Sequence, residues 1–330
     1  MQDDRPHSKP RRRPPAECDA APVVIVAGPT ASGKSALALA LAVEFDGVVI
    51  NADSMQIYRE LRILTARPSA EDEARAPHRL YGVLGVRDAC SAARWRDMAL
   101  VELDAARHAG KLPIVCGGTG LYLRALMRGL SPIPDIPDDI RAAVRTRLKS
   151  AGVAALHDAL ARVDPTLAAR LAPGDRQRIA RALEVFEATG MPLSDWQAMP
   201  ESGPPPHTRF TTIVLHPPRA ALYAACDARM HAMVRAGALT EIAALAEIDA
   251  ELPAMKALGI AGFRRHLDGA ITLEEAILAA QQATRRYAKR QTTWFKNQII
   301  ADFDIYTQHS ENLLPKIFSF IRQNLLTTDE

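Results

Sequence analysis

Short apolar runs rich in β-branched residues alternate with longer stretches of helix formers along the first part of the chain. Val23–Ala27, "VVIVA", is continuously apolar and stops at Gly28, the pattern of a strand buried on both faces of a parallel sheet. Ser35–Phe45, "SALALALAVEF", carries Ala and Leu at successive positions, which predicts a helix. The strand signal returns in "GVVIN" (Gly47–Asn51) and "LPIVCGG" (Leu112–Gly118). Between them the alanine-rich Ser91–Ala109 reads as a helix with Gly110 as its C-cap. Strands alternating with helices predict an α/β fold, a parallel sheet flanked by helices.

From about Asp138 to Ala198 the strand signals vanish, and helical segments punctuated by "VDP", "APGD" and "ATGMP" replace them. Residues 138–206 are therefore expected to form an all-helical insertion. The proline-rich "SPIPDIP" (Ser131–Pro137) and "PESGPPPH" (Pro200–His207) bracket it as stiff hinges. "FTTIVLHP" (Phe210–Pro217) restores a strand, so the α/β core is expected to comprise 23–137 and 207–330, with a long helix at Thr272–Gln298. No internal repeat is visible.

Composition narrows the class without naming it. Apolar residues make up 48% of the 330-residue chain and charged residues 24%, the mix of a globular protein rather than a disordered one. Lys and Arg number 41 against 38 Asp and Glu, so net charge alone does not announce nucleic acid and local clustering has to. No run approaches the roughly 18 apolar residues of a membrane span, and no membrane association is expected. Cys18, Cys90, Cys116 and Cys226 are widely spaced, without a Cys-x-x-Cys pair; reduced thiols and a cytoplasmic setting are the expectation. Residues 1–22 hold acids, prolines and the basic run Lys9–Arg13 but no apolar core of a signal peptide. They read as a disordered, solvated tail.

The chemistry concentrates at strand ends. Gly28-Pro29-Thr30-Ala31-Ser32-Gly33-Lys34-Ser35 fits G-x-x-x-x-G-K-[ST], with the strand before it and the helix after it that a phosphate-binding P-loop requires. The glycines let backbone N–H groups point at phosphate oxygens, Lys34 neutralises the terminal phosphate and Ser35 is the candidate Mg²⁺ ligand. Asp53 follows the second strand, at the edge where open α/β sheets hold their sites; general base, metal ligand and helix N-cap remain open for it. Gly117-Gly118-Thr119-Gly120 ends the next strand, where many P-loop enzymes carry an acid for Mg²⁺ and this chain does not. Thr119 is either a substrate contact or a capping residue. "TRRYAKRQTTWFK" (Thr284–Lys296) has five positive charges, no negative one and interleaved Tyr287, Trp294 and Phe295. Arg285 with Lys289, and Arg286 with Arg290, lie one turn apart, as in a stripe that tracks a phosphate backbone with aromatics for unpaired bases. A solvated helix with core aromatics fits as well. The histidines lack metal spacing, and the guanine-recognition pattern N-K-x-D is missing. A kinase holding ATP in the same glycine loop is the main alternative.

Taken together, "GPTASGKS", "NADSMQIYREL", "LTARP", "APHRLYG", "CGGTGLYLRAL", "GLSPIP", "RQRIARALEV" and "YAKRQTTWF" resemble, in order and spacing, the tRNA dimethylallyltransferases, over about Val23–Ile305. The resemblance implies a P-loop NTPase-like core in which the loop holds an isoprenoid diphosphate instead of ATP. It implies transfer of a dimethylallyl group from dimethylallyl diphosphate to the exocyclic amine (N6) of adenosine 37, beside the anticodon, in tRNAs reading codons that begin with U. The partner is then the tRNA anticodon stem-loop, and the enzyme is expected to work with Mg²⁺ as a monomer. By the same resemblance Asp53 is the general base, Thr119 touches the target amine or the leaving oxygen, and Arg229 binds diphosphate. Contacts to tRNA fall to Asp53, Ser54, Met55, Gln56, Thr119, Arg141, Gln177, Arg178, Ile179, Ala180, Arg181, Arg286, Lys289, Arg290 and Lys296. The chain departs from the family pattern at two places. Leu64 stands where a Gly is usual, and Gly259-Ile260-Ala261 stands for G-Y-[RK].

Overall fold

The computed structural model describes residues 20–326; the tail with its Lys9–Arg13 run and Cys18 falls outside them up to residue 19. Strands β1 (Ala21–Ala27), β2 (Gly47–Asn51), β3 (His78–Arg79), β4 (Leu112–Gly117), β5 (Thr208–Leu215) and β6 (Phe303–Ile305) form one sheet in the order β3-β2-β4-β1-β5-β6. Every pairing is parallel. β1 begins at Ala21, inside the expected tail, because its ladder with β5 starts at Ala21 opposite Thr208.

Helices α1 (Lys34–Glu44), α2 (Ala70–Arg75), α3 (Ala92–His108) and α4 (Gly120–Arg128) belong to the first part of the chain. Next come α5 (Asp138–Val163), α6 (Pro165–Arg170), α7 (Arg176–Thr189) and α8 (Leu193–Ala198). The remainder are α9 (Arg219–Arg235), α10 (Ala238–Ala243), α11 (Ile260–Leu267), α12 (Leu273–Gln298) and α13 (Leu314–Leu326). Alternation along β1 decides which helix covers which face. Val23, Ile25 and Ala27 share a core with residues of α3, α4, α9, α11 and α12, while Val24 and Val26 pack with α1 and α13. Side chains on both faces are therefore dry, which is why β1 reads as an unbroken apolar run. α1 leaves β1 on one face and α4 leaves the adjacent β4 on the other. This divergence opens a crevice at the carboxyl ends of β1 and β4, the usual place for a ligand in such sheets.

Among the described residues the chain divides into two compact units, 20–127 with 205–326, and Arg128–Pro204. The second is all-helical, with Val144, Leu156, Leu160, Ile179, Leu183 and Val185 in its core. Asp164 ties it together: one carboxylate oxygen accepts from Leu167 N–H at 2.9 Å and the other from Ser194 N–H at 2.9 Å. Gly152 breaks α5 with φ 79°, which a side chain would resist. The unit starts at Arg128, ahead of the expected Asp138. "SPIPDIP" is part of it and not a free hinge, since Ile136 is buried in its core and Ser202 N–H donates to Leu130 C=O at 3.0 Å.

Candidate active site

At the carboxyl end of β1 the chain turns through Gly28–Ser35 into α1. Gly33 adopts φ 89° as the N-cap and no side chain caps the helix, so the first amides of α1 stay open toward an anion. Ala31 also lies in the left-handed region, at φ 62°. Lys34 is buried, and its ammonium donates to Pro29 C=O at 3.3 Å. Ser32 is fully buried with a hydroxyl that has no partner among the described residues. Ser35 is exposed, and its hydroxyl bonds to the Cys116 thiol at the end of β4. Burial pushes the Lys34 ammonium below its ordinary value; Asp53 raises it and Arg229 lowers it further. On α9, Arg229 is pushed down by burial too, against the pull of Cys226 and Asp53. Two cations and one carboxylate thus share a desolvated pocket whose electrostatics favour an added anion.

Asp53 sits where β2 ends. Asn51, fully buried, accepts from Asp53 N–H at 2.8 Å and donates to Asp53 C=O at 3.0 Å and to Leu80 C=O at 3.0 Å. Trp95 Nε1 donates to Asn51 C=O at 2.8 Å, and its ring stacks on Tyr122 with centroids 4.6 Å apart. This floor holds the turn rigid. Asp53 Oδ1 accepts from Met55 N–H at 2.9 Å, a local cap of the kind carboxylates make at turns. Among the described residues Oδ2 has no hydrogen-bond partner, so the carboxylate is oriented by one oxygen while the other stays available.

The β4 turn closes on the same place. A Cβ at Gly117 would lie 2.2 Å from the Ala52 backbone, at Gly118 2.4 Å from Gln291 Nε2, and at Gly120 2.3 Å from the Trp294 ring. Close approach is thus what selects these glycines. Thr119 Oγ1 accepts from Ser54 N–H at 2.9 Å and donates to Ser54 Oγ at 3.2 Å. It also meets the Tyr287 hydroxyl, whose pKa burial raises first and Asp53 raises further. Cys116, where many P-loop enzymes have an acid, is pushed up to about 11 by burial. Ser54, Met55 and Gln56 follow Asp53 and are half-buried; the Gln56 amide already donates to Thr65 C=O and Ala66 C=O at 2.9 and 3.0 Å.

α12 supplies the far wall and an outer face. Arg286, Lys289 and Arg290, with Thr293, Trp294, Asn297 and Gln298, line a shallow groove of about 510 Å³, and Lys296 is exposed beside it. Arg285 departs from the expected stripe, because its guanidinium is 2.5 Å from Asp227 on α9. The aromatics divide: Phe295 is core, Tyr287 faces Thr119 and Trp294 covers Gly120. In the helical unit Gln177 and Arg178 are exposed, Arg178 pairs with Asp175 at 3.6 Å, Arg181 with Glu184 at 3.7 Å and Arg141 with Asp138 at 3.5 Å. Ile179 and Ala180 are corrected: at 0% and 8% exposure they belong to the unit's core, so their side chains do not face a ligand. Gln291 is a site residue that the sequence reading did not single out, and Tyr287, read there as an aromatic of the basic stripe, turns its hydroxyl to Thr119.

Residues 56–298 match the protein-family profile described as IPP transferase. A tRNA dimethylallyltransferase of Rhodospirillum centenum is 56% identical over 282 residues, 85% of this chain and 90% of that relative. One from Paramagnetospirillum magneticum is 54% identical, over 93% of this chain and 98% of its own length. Among solved structures, a tRNA isopentenylpyrophosphate transferase of Bacillus halodurans superposes with TM-score 0.66 at 33% identity, covering 93% of this chain and 97% of that one. A eukaryotic dimethylallyltransferase studied acting on tRNA superposes with TM-score 0.74 at 26% identity, over 92% and 80% of the two chains. The sheet is thus a P-loop-like fold, and the kinase alternative is set aside: these matches are dimethylallyl- and isopentenyltransferases, and in β4 Cys116 stands next to the terminal Gly117 where many P-loop enzymes have an acid.

Proposed function

The chain belongs to the IPP transferase family, and from that premise we propose that it transfers a dimethylallyl group from dimethylallyl diphosphate to N6 of adenosine 37 in tRNAs reading codons that begin with U. One observation carries the reading at the level of chemistry. Asp53 has one oxygen anchored by Met55 N–H and the other unengaged among the described residues, in the electrostatic reach of two cations, the buried Lys34 and the half-buried Arg229.

In this reading the diphosphate takes the open amides at the start of α1 together with Lys34 and Arg229. The adenine amine is a weak nucleophile because its lone pair is drawn into the ring. As N6 bonds to C1 of the dimethylallyl group, the C1–O bond breaks, its electron pair leaves with the diphosphate, and the N6 proton passes to the free oxygen of Asp53. Lys34, Arg229 and the loop amides meet the negative charge where it develops. Thr119 and Tyr287 offer hydroxyls to the amine or the departing oxygen. Drawing the base from its loop costs a few kcal/mol, offset by contacts in the pocket.

Among the described residues no group of three or more His, Cys, Asp or Glu could hold a metal ion. The donor present is the hard hydroxyl of Ser35, which suits Mg²⁺ held mainly by waters and diphosphate oxygens. Such an ion would neutralise part of the leaving group's charge. The exposed face of α12 is one proposed tRNA contact, and Gln177, Arg178 and Arg141 of the helical unit are proposed contacts in their own right.

Incubating the protein with labelled dimethylallyl diphosphate and bulk tRNA, then digesting the RNA, tests the reading. Label in a modified adenosine, without ATP, is expected. Label in no nucleoside, with the protein folded, would end the proposal.

A further inference from the structure

The phosphate loop is held by two glutamines that neither the motif nor the chemistry above requires. Gln291 is buried on the inner side of α12, one residue after the exposed Arg290. Its Oε1 accepts from Thr30 N–H at 2.8 Å, and its Nε2 donates to Gly118 C=O at 2.8 Å. One side-chain amide therefore spans the donor loop and the turn that carries Thr119, and both its polar atoms are used. Gln308, on the segment after β6, donates from Nε2 to Ala31 C=O at 2.9 Å. The two side chains thus grip neighbouring groups of the loop, the N–H of Thr30 and the C=O of Ala31. Ala31, whose carbonyl takes the second bond, is held at φ 62°, a conformation that alanine adopts only when its surroundings impose it.

We infer that Gln291 and Gln308 are positioning residues with separable roles: Gln308 fixes the diphosphate loop alone, whereas Gln291 fixes it in register with Thr119 and links both to the helix that presents the basic groove. The proposal rests on the transfer reading, and it follows from which atoms each amide touches. Removing Gln308 frees one carbonyl of the loop and nothing near Thr119. Removing Gln291 leaves a buried N–H and a buried C=O without partners on opposite sides of the site. Glycine at 118 fits this account, since a Cβ there would lie 2.4 Å from Gln291 Nε2.

The variants are Gln291→Met, which keeps length and apolar bulk, and Gln308→Ala. Calorimetry with inorganic diphosphate reports the loop independently of turnover, filter binding reports tRNA, and single-turnover transfer reports chemistry. A lost buried hydrogen bond is worth about 3- to 10-fold. Gln308→Ala should weaken diphosphate by about that factor and leave the transfer rate at saturating donor within about twofold. Gln291→Met should weaken diphosphate similarly and also slow transfer by about 10-fold, with tRNA affinity within about twofold. If Gln291→Met does not fold, Gly118→Ala, which displaces the same amide, should give the same double effect. Unchanged diphosphate affinity in both glutamine variants, or an equal slowing of transfer by both, overturns the inference. An inactive wild-type protein that still binds diphosphate would instead count against the transfer reading, and the binding arm would continue to test the clamp.

Discussion

Replacing Asp53 by Asn separates the carboxylate's charge and basicity from its shape. The amide oxygen of Asn can keep the 2.9 Å bond from Met55 N–H, and the bonds of Asn51 go to the main chain of residue 53, so the turn should stand unchanged. What is lost is the proposed acceptor for the amine proton, and general-base catalysis is typically worth about 10²- to 10⁴-fold. The electrostatic consequence has the opposite sign. Asp53 raises the pKa of both Lys34 and Arg229, which means its charge is felt by both cations. Without it the pocket is more positive by one unit, and an added diphosphate gains an attraction of about 1 kcal/mol in a partly wet site, close to fivefold in affinity. The expected signature is slower single-turnover transfer by two to four decades together with tighter binding of inorganic diphosphate in calorimetry. A transfer rate within about threefold of the parent would return Asp53 to a capping role. Weaker diphosphate binding would show that the electrostatic account of the pocket is wrong.

In the proposed reading Lys34 holds the diphosphate as a cation, and burial lowers its pKa below the ordinary 10.5. Diphosphate affinity should therefore fall as pH rises through that lowered value, and Lys34→Met should flatten the profile; in the free protein the unfolded chain binds more protons between the lowered value and 10.5, so this residue makes stability rise with pH there. Arg286→Ala and Lys289→Ala should each reduce the salt slope of tRNA binding by about one, whereas Arg285→Ala, which removes the partner of Asp227, should leave the slope unchanged; equal slopes in all three variants refute the assignment of the groove. The Cys116 thiol, pushed up to about 11, should be about one part in 10³ thiolate at pH 8, so iodoacetamide should label it only after denaturation, and rapid labelling of the native protein contradicts its burial.

Elements with a long, one-valued pattern were legible in the chain. β1, β2 and β4 are apolar without interruption because both their faces are covered, and the loop motif needs only the strand before it and the helix after it. β3 and β6 were not legible: two and three residues long, they are too short for a period to register, and they exist because the sheet's edges offer them a partner. The same limit applies to the site. Asp53, Thr119 and Lys34 announce themselves by residue type at strand ends. Gln291 could not, since an amide in a basic helix looks like one more solvated polar residue until its inward direction is known. Ile179 and Ala180 failed for the converse reason: they lie inside a stretch shared with the family, and being within a motif does not say which side of a helix a residue occupies.

The two departures from the family pattern gain a physical account from packing. Leu64, at 5% exposure, and Ile260, at 1%, lie in the same core cluster, and a Cβ built at Gly259 would sit 3.4 Å from Leu64 Cδ1. Both side chains therefore take part in packing that core. The loop bearing Leu64 is tied down independently, by Glu241, whose carboxylate accepts from Ile63 N–H at 2.7 Å and Leu64 N–H at 2.9 Å. Neither change therefore needs an RNA to explain it. Ala261 is different, because it is exposed. Of the three positions it is the one on the surface, where the pattern the chain resembles has a Lys or Arg, and any difference in tRNA docking traceable to these departures should map there.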